Sequence, residues 1–267
     1  MRTAKTVLTV IQERGKQKKP IERVYKLLFN RELYLNAYAK LYPNNGAMTK
    51  GVTDETVDGM SIQKIDRMIE ILREEKYQWK PARREYIKKK NGKKRPLGIP
   101  VWGDKVLQEV MRQILEAYYE PQFSEHSHGF RPNRGCHTAL QEIQVWKGTR
   151  WFIEGDISQY FDTIDHKILL EILARNIHDG RFIRLVSNML EAGYLEEWKF
   201  NQTISGVPQG GVISPILANI YLNEFDNWIE EVLIPKYTKG KRQKSNPEYN
   251  KLTAEIQKLS LQIKSQG

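Results

Sequence analysis

The chain has 267 residues, 40% of them apolar, which is enough to build a folded core and argues against a disordered protein. Lysine and arginine number 43 against 32 acidic residues, a net charge of +11 that favours a polyanionic partner. No apolar stretch is long enough for a membrane-spanning helix, and the single Cys136 excludes an intramolecular disulfide. These features predict a protein of a bacterial cytoplasm rather than an organelle, with no membrane partner.

The first 82 residues predict helices. Apolar side chains recur at helical spacing between Ile21 and Tyr42. A polar loop then extends to Gly59, and Ser61 is placed to cap a second helix that continues to Leu72.

A basic hairpin is predicted next. Eight basic residues and one acid, Glu85, lie between Arg83 and Arg95, with Asn91-Gly92 in the middle. Asn-Gly is a strong hairpin signal because both residues tolerate positive φ. We predict strands Glu85–Lys90 and Lys93–Ile99. A charge run is usually only a solvated face, but on an ordered hairpin the same charges suit phosphate groups.

The centre of the chain alternates helices with irregular segments. We predict Asp104 as the N-cap of a helix that reaches Tyr118, and a short helix near Thr138–Trp146 after a basic loop. Trp151-Phe152-Ile153 predicts an apolar strand that stops before Asp156. The remaining predicted elements are a helix capped by Asp165, a helix over Arg181–Ala192, a strand over Trp198–Ile204, a long helix from Pro215, a basic loop over Lys236–Ser245 and an amphipathic helix over Pro247–Lys264.

Asp156 is the first candidate for chemistry. A carboxylate at a strand end can reach a metal ion while the strand fixes its backbone, and phosphoryl transfer uses such Mg²⁺ ligands. A strand-end aspartate also commonly caps a turn, so this feature alone leaves both interpretations open.

Two glycine-containing loops are the other candidates. Gly206–Gly211 precedes a helix, where backbone amides and the helix N-terminus favour phosphate, although an ordinary turn has the same composition. Gly129-Phe130-Arg131-Pro132 is a basic loop that carries an aromatic ring.

In their order and spacing these segments resemble the fingers and palm of group II intron-encoded reverse transcriptases (maturases). The resemblance extends from about Gly46 to the end of the chain. It rests on the following stretches: Arg95–Pro100, Ser127–Leu140, Glu154–His166 and Gly206–Phe225.

The resemblance implies specific roles. Asp156 corresponds to the first catalytic aspartate, a ligand of two Mg²⁺ ions, and the Ile157 carbonyl helps to hold the nucleotide-side ion. Phe161 lies under the incoming sugar, Gln209 lies against the nucleotide, and Lys89 and Arg95 grip the dNTP triphosphate. The remaining basic residues of the hairpin and loop are candidate RNA contacts: Lys88, Lys90, Lys93, Lys94, Arg131 and Arg134.

The implied architecture is α+β, with mostly helical fingers, one basic hairpin and an incomplete palm. The predicted regions are 1–82 (helical extension and start of the fingers), 83–150 (fingers), 151–233 (partial palm) and 234–267 (basic loop and helix). The implied partners are intron RNA, an RNA template, a DNA primer and dNTPs. An unpaired strand edge or the last helix leaves self-association open.

One departure from the family pattern matters. The family's Tyr-Ala-Asp-Asp hairpin supplies further metal ligands, and this sequence has no Asp-Asp pair. We therefore predict a fragment that binds RNA but does not polymerise alone. Two other functions stay open: an RNA-binding splicing cofactor without polymerase activity, and a reverse transcriptase of a retron or diversity-generating element.

Overall fold

The computed structural model describes residues 2–88, 92, 94–147, 152–197, 199–203, 205–207, 210–238 and 246–265. The chain forms two compact units, residues 1–226 and 227–267. The finer division at residues 82, 150 and 233 stays a proposal.

Helices dominate the described residues, and six short strands form a two-stranded and a four-stranded sheet. The helices are α1 (Ala4–Lys16), α2 (Arg31–Leu41), α3 (Ile62–Arg73), α4 (Trp102–Tyr119), α5 (Cys136–Gln144), α6 (Tyr160–Thr163), α7 (His166–Asn176), α8 (Gly180–Leu190), α9 (Ser214–Trp228), α10 (Ile234–Tyr237) and α11 (Pro247–Ser265). The strands are β1 (Ile21–Glu22), β2 (Ala82–Lys88), β3 (Lys94–Ile99), β4 (Ile177–His178), β5 (Tyr194–Glu196) and β6 (Lys199–Asn201). This mixture agrees with the predicted α+β class.

Helix α4 is the centre of the larger unit. Its predicted apolar stripe from Val106 to Tyr118 is fully buried, and α1 and α2 pack against it. Asp179 joins distant parts of this unit, because its carboxylate accepts hydrogen bonds from the backbone N–H groups of Tyr25 (2.9 Å) and Arg181 (3.2 Å). The core therefore holds the N-terminal helices and the α7–α8 pair in one body.

The predicted basic hairpin is confirmed for the described residues. Strands β2 and β3 pair antiparallel, with Arg84 opposite Gly98 and Ile87 opposite Arg95. The hairpin belongs to the four-stranded sheet, whose strand order is β3-β2-β5-β6, and β5 pairs parallel with β2. The predicted strand over Trp198–Ile204 is shorter in the structure, and its partner β5 was not predicted because three residues give too little periodicity.

Three further predictions were wrong. The N-terminal helix α1 was missed, and the helix predicted from Ile21 to Tyr42 is a short strand, a 3₁₀ turn and α2. Residues 152–157 form no strand, and their side chains are exposed. A strand needs a paired neighbour to satisfy its backbone, and none of the described strands lies beside this segment.

The third error concerns Asp104, which is buried inside α4 rather than at its N-cap. Its carboxylate accepts hydrogen bonds from the Tyr77 hydroxyl at 2.7 Å and from the Lys80 backbone N–H at 3.0 Å. It therefore anchors the segment between α3 and β2 to α4, a tertiary role that helix-capping rules do not address. Asp165, in contrast, is the predicted cap, because it accepts the Ile168 N–H at 3.0 Å.

Asp104 makes stability depend on pH. Burial raises the pKa of its carboxyl to about 6, above the value of about 3.9 expected in the unfolded chain. Between these values the folded protein binds more protons than the unfolded chain, so stability falls as pH rises through this window, by about 3 kcal/mol in total. Urea unfolding at several pH values will show this fall in the parent and a flatter curve in Asp104→Asn. If stability falls with pH equally in the parent protein and in Asp104→Asn, Asp104 is not the cause of the fall.

The smaller unit consists of the end of α9, a π-helical turn over Ile229–Leu233, α10 and α11. The apolar side chains of α11, among them Leu252 and Ile256, are exposed. In the part of the chain that the structure describes, no helix combines the length and apolarity needed to cross a membrane.

Candidate functional site

Two of the predicted motifs are joined by backbone hydrogen bonds. The Val207 N–H donates to the Phe161 carbonyl at 2.7 Å, and the Gly206 N–H donates to the Ile164 carbonyl at 2.8 Å. His166 adds a side-chain bond, since its Nε2 lies 2.7 Å from the Gly206 carbonyl. The segment that begins just after Asp156 therefore fixes the start of the glycine-rich loop.

Gly206 is required at this junction. Its φ is +87°, and a Cβ atom there would lie 2.8 Å from both the Cα and the carbonyl oxygen of Asp162. Those neighbours are backbone atoms that cannot turn away, so only glycine fits.

The basic hairpin meets the far end of the same loop. A Cβ on Gly210 would lie 2.6 Å from the Gly98 carbonyl and 2.8 Å from Leu97. The loop is thus held between the hairpin and the Phe161 segment. Beside it lies a cavity of about 400 Å³, here called the motif cavity, lined mainly by the hairpin, β5 and the loop: Ala82, Arg84, Pro96, Gly98, Gln159, Asp162, Gly193, Tyr194, Gln202, Thr203, Ser205, Gly206 and Val207.

The fourth motif reaches the site through an aromatic contact. The rings of Phe130 and Phe161 meet edge to face, with centroids 6.2 Å apart. The Asn219 side chain on α9 donates to the Gly129 carbonyl at 2.8 Å. Phe161 is further positioned by Tyr160, whose hydroxyl donates to the Ala218 carbonyl at 2.6 Å. All four motifs therefore contribute to one region.

Residues 87–241 match the family described as reverse transcriptase (RNA-dependent DNA polymerase). This chain belongs to the reverse transcriptase family. The group II intron-encoded protein LtrA of Lactococcus lactis subsp. cremoris is 47% identical over 91% of this chain and 41% of that protein. A protein of Schizosaccharomyces pombe described as an uncharacterized 91 kDa protein in cob intron is 47% identical over 86% of this chain and 29% of that protein.

The comparisons confirm the resemblance to group II intron-encoded reverse transcriptases. The chain spans less than half the length of these two relatives. A solved chain of a partial Cas6-RT-Cas1–Cas2 complex superposes with a TM-score of 0.52 over 78% of this chain and 35% of that chain, at 20% identity. At this identity the likeness shows the fold alone, and it supports the α+β reverse transcriptase architecture.

The carboxylate predicted to be catalytic lies on the surface of the reverse transcriptase fold. Asp156 and Ile157 are exposed within the irregular segment 152–157, which leads directly into α6 and Phe161. The described residues contain no group of three or more histidine, cysteine, aspartate or glutamate side chains arranged to hold a metal ion. The predicted metal ligands in this segment are the Asp156 carboxylate and the Ile157 backbone carbonyl, and Glu154 adds a second exposed carboxylate.

Three of the hairpin's predicted basic residues are described, and all three face solvent. Lys88, Lys94 and Arg95 are exposed, and the Lys94 ammonium lies 6.0 Å from the Tyr86 ring. Arg84, which sequence reasoning did not select, lines the motif cavity with its guanidinium 3.8 Å from the Tyr194 ring centroid. The Arg84 Nε is buried and has no hydrogen-bond partner among the described residues.

Two of the predicted RNA contacts, Arg131 and Arg134, are wholly or partly buried in the structure. Arg131 is buried, and its guanidinium contacts Glu120 and donates to the Ser124 and Ser127 carbonyls. Through these bonds the buried Arg131 guanidinium stabilises the conformation of the loop before α5, and it is not accessible to solvent. Arg134 is partly buried and pairs with Glu125. The sequence could not separate these arginines from exposed ones, because burial here is set by contacts with Glu120 and Glu125 in the preceding segment.

Four predicted residues lie outside the described residues: Lys89, Lys90, Lys93 and Gln209. Gln209 falls between Val207 and Gly210, both of which are placed by the contacts above. Sequence reasoning missed the role of Phe130, although the aromatic residue within a basic loop was the available signal. It also missed His166 and Tyr160, whose partners are backbone carbonyls that no side-chain pattern reveals.

Proposed function

We propose that this chain is the nucleotide-binding part of an RNA-directed DNA polymerase of a group II intron, which also binds intron RNA to assist splicing and mobility. The observation that carries the proposal is the convergence of the hairpin, the Phe161 segment and the loop that contains Gln209. Family membership supplies the reaction class, in which a primer 3′-hydroxyl attacks the α-phosphate of a dNTP.

The places of the residues support the roles proposed for them. The Phe161 ring meets those of Phe130 and Tyr160 edge to face, and its backbone carbonyl accepts from Val207, which supports its proposed contact with the sugar and exclusion of a 2′-hydroxyl. Arg95 on the hairpin supplies a guanidinium for the triphosphate, and the fork geometry suits phosphate oxygens. The resemblance to the family assigns Gln209, which lies outside the described residues, to a place against the nucleotide.

The donor set fits part of a Mg²⁺ site. Mg²⁺ is commonly held by one or two carboxylates together with substrate phosphates, so Asp156 and the Ile157 carbonyl are suitable ligands. When bound, the ions neutralise charge that develops on the phosphoryl oxygens. One carboxylate is insufficient for two ions, and this sequence has no Asp-Asp pair. We propose that the remaining ligands belong to the longer protein, and that this chain by itself binds RNA without polymerising.

A splicing cofactor without polymerase activity is the second candidate. It is favoured by the exposed cations of the hairpin, which are independent of Asp156. If these cations neutralise phosphates of single-stranded RNA, the logarithm of the association constant falls by about 0.7 per phosphate contact for each unit rise in the logarithm of the salt concentration.

A bacterial cytoplasm is the proposed compartment.

Arg95→Ala tests the nucleotide site. In primer extension on an RNA template with dNTPs and Mg²⁺, using the longest reading frame that contains this chain, we expect KM for dNTP to rise about tenfold. RNA affinity should change little, because Arg95 is assigned to the triphosphate and not to RNA. Lys26→Ala, another exposed cation, is the matched control. Equal KM values for the two variants would argue against the role of Arg95.

A further inference from the structure

A second cavity of about 510 Å³ lies between α3, the segment that follows it and the first turn of α4. We call it the α3–α4 cavity. It shares no lining residue with the motif cavity. Its volume falls within the range of roughly 300–1,000 Å³ that is typical of small-ligand sites. The space accommodates one nucleotide but not a base-paired stem.

The inside of the α3–α4 cavity is apolar. Its apolar lining residues are Met60, Met68, Ile71, Tyr77, Val101 and Trp102. The Tyr77 ring is held in place at its hydroxyl by Asp104 and at its edge by the Trp79 ring, 5.2 Å away. Aromatic rings and methionine thioethers are surfaces on which flat bases pack well.

The rim of the cavity carries four cations and one carboxylate, Glu55, and two of the cations are paired with acids, Lys64 with Glu55 and Lys76 with Glu74. Lys64, Arg67, Lys76 and Lys80 line the rim and are exposed. Lys64 pairs with Glu55 at 3.1 Å. Arg67 has no ion-pair partner among the described residues, so its guanidinium is open to a ligand at the rim.

The polar atoms inside set the orientation of a ligand. The buried carboxylate of Asp104 disfavours a second anion in the interior, whereas the rim cations attract one. The Trp102 indole N–H, which is buried, has no acceptor in the described part of the chain. A ligand that fits this arrangement has a neutral, flat, hydrogen-bonding portion inside and an anionic portion at the rim.

We propose that the α3–α4 cavity binds a single unpaired RNA nucleotide, with the base inside and its phosphate at Arg67. The inference rests on the RNA binding given under the proposed function, and it adds a site on the N-terminal helices that is separate from the nucleotide site. Bases that are unstacked in loops or bulges are the parts of RNA that such a pocket can receive.

Photo-crosslinking of the full chain with a short single-stranded RNA that contains 4-thiouridine tests the placement. We expect crosslinks in the peptides that contain Met60, Met68 or Tyr77. Free 4-thiouridine monophosphate should crosslink poorly there, because it lacks the other phosphate contacts of the chain. Efficient crosslinking of the free nucleotide but not of RNA would overturn the proposal in favour of a metabolite site.

Two variants test the energetics. Arg67→Gln should raise Kd for the RNA about threefold to tenfold and lower the salt slope by about 0.7, whereas Lys26→Gln should do neither. Thr56→Trp, which fills the cavity from its wall, should remove the crosslink and raise Kd about tenfold by displacing one stacked base. Thermal unfolding establishes that each variant is folded, and Arg67→Gln still tests the proposal if Thr56→Trp is not.

Two results would overturn the inference: crosslinks confined to the hairpin, or equal Kd values for Arg67→Gln and Lys26→Gln. Failure of the proposed function has a different signature. In that case the parent chain itself shows no salt-dependent RNA binding, and Lys88→Gln and Lys94→Gln in the hairpin have no effect.

Discussion

Asp156→Asn will abolish RNA-templated DNA synthesis by the longer protein, lowering the rate by at least about a thousandfold, or roughly 4 kcal/mol of transition-state stabilisation. The amide has nearly the size of the carboxylate but no negative charge, so it is a poor Mg²⁺ ligand. Asp156 is exposed and lies outside the core. We therefore expect the unfolding midpoint to be unchanged, which separates a chemical role from a structural one.

Asp165→Asn is the matched control. It makes the same carboxylate-to-amide change in the same motif, and asparagine caps a helix as well as aspartate does. We expect synthesis close to that of the parent protein. Parent-level synthesis by Asp156→Asn would remove that residue from the metal site. No synthesis by the parent, with salt-sensitive RNA binding intact, would favour the splicing cofactor instead.

Gly206→Ala will destabilise the larger unit by about 3 kcal/mol or more, since it combines an unfavourable φ with overlap against backbone atoms. The added Cβ would lie 2.8 Å from backbone atoms of both Phe161 and Asp162. Relief of this overlap requires Gly206 to move away from the Phe161 segment, which disturbs the predicted nucleotide site. Urea unfolding measures the loss, and dNTP binding should weaken in parallel.

Gly180→Ala gives the reference for this experiment. Gly180 begins α8, and a Cβ there has no heavy atom within 4 Å. Alanine at such a helix position changes stability by about 1 kcal/mol at most, in the stabilising direction. If Gly206→Ala is as stable as Gly180→Ala, the close contact between the loop and the Phe161 segment is not present in solution.

The predictions that succeeded depend on local chemistry. The Asn91-Gly92 pair predicted a hairpin because few other residue pairs tolerate the backbone angles of a tight turn, and the strands on either side of it pair antiparallel. The Asp165 cap and the α4 stripe likewise follow from rules that act over one or two helical turns. The family motifs were readable in the sequence because each is a short continuous stretch.

The predictions that failed depend on distant partners. The strand before Asp156 has the composition of a strand, yet a strand exists only where another pairs with it. Asp104 has the chemistry of a helix cap, but Tyr77 and the Lys80 backbone hold it inside the molecule. Arg131 stays a predicted RNA contact, but its guanidinium binds Glu120 and two backbone carbonyls, which the sequence did not reveal.

The sequence by itself therefore determined the family, the α+β class, the basic hairpin and the identity of the candidate nucleotide-site residues. Only the tertiary structure decided which of these residues meet. Gly206 contacts the Phe161 segment and Gly210 contacts the hairpin, so one loop joins two motifs that are more than sixty residues apart in the sequence. The physical reason is that close packing and buried hydrogen bonds form between segments that are distant in the sequence. The sequence of one segment shows which side chains and backbone groups it has, but not which other segment they contact.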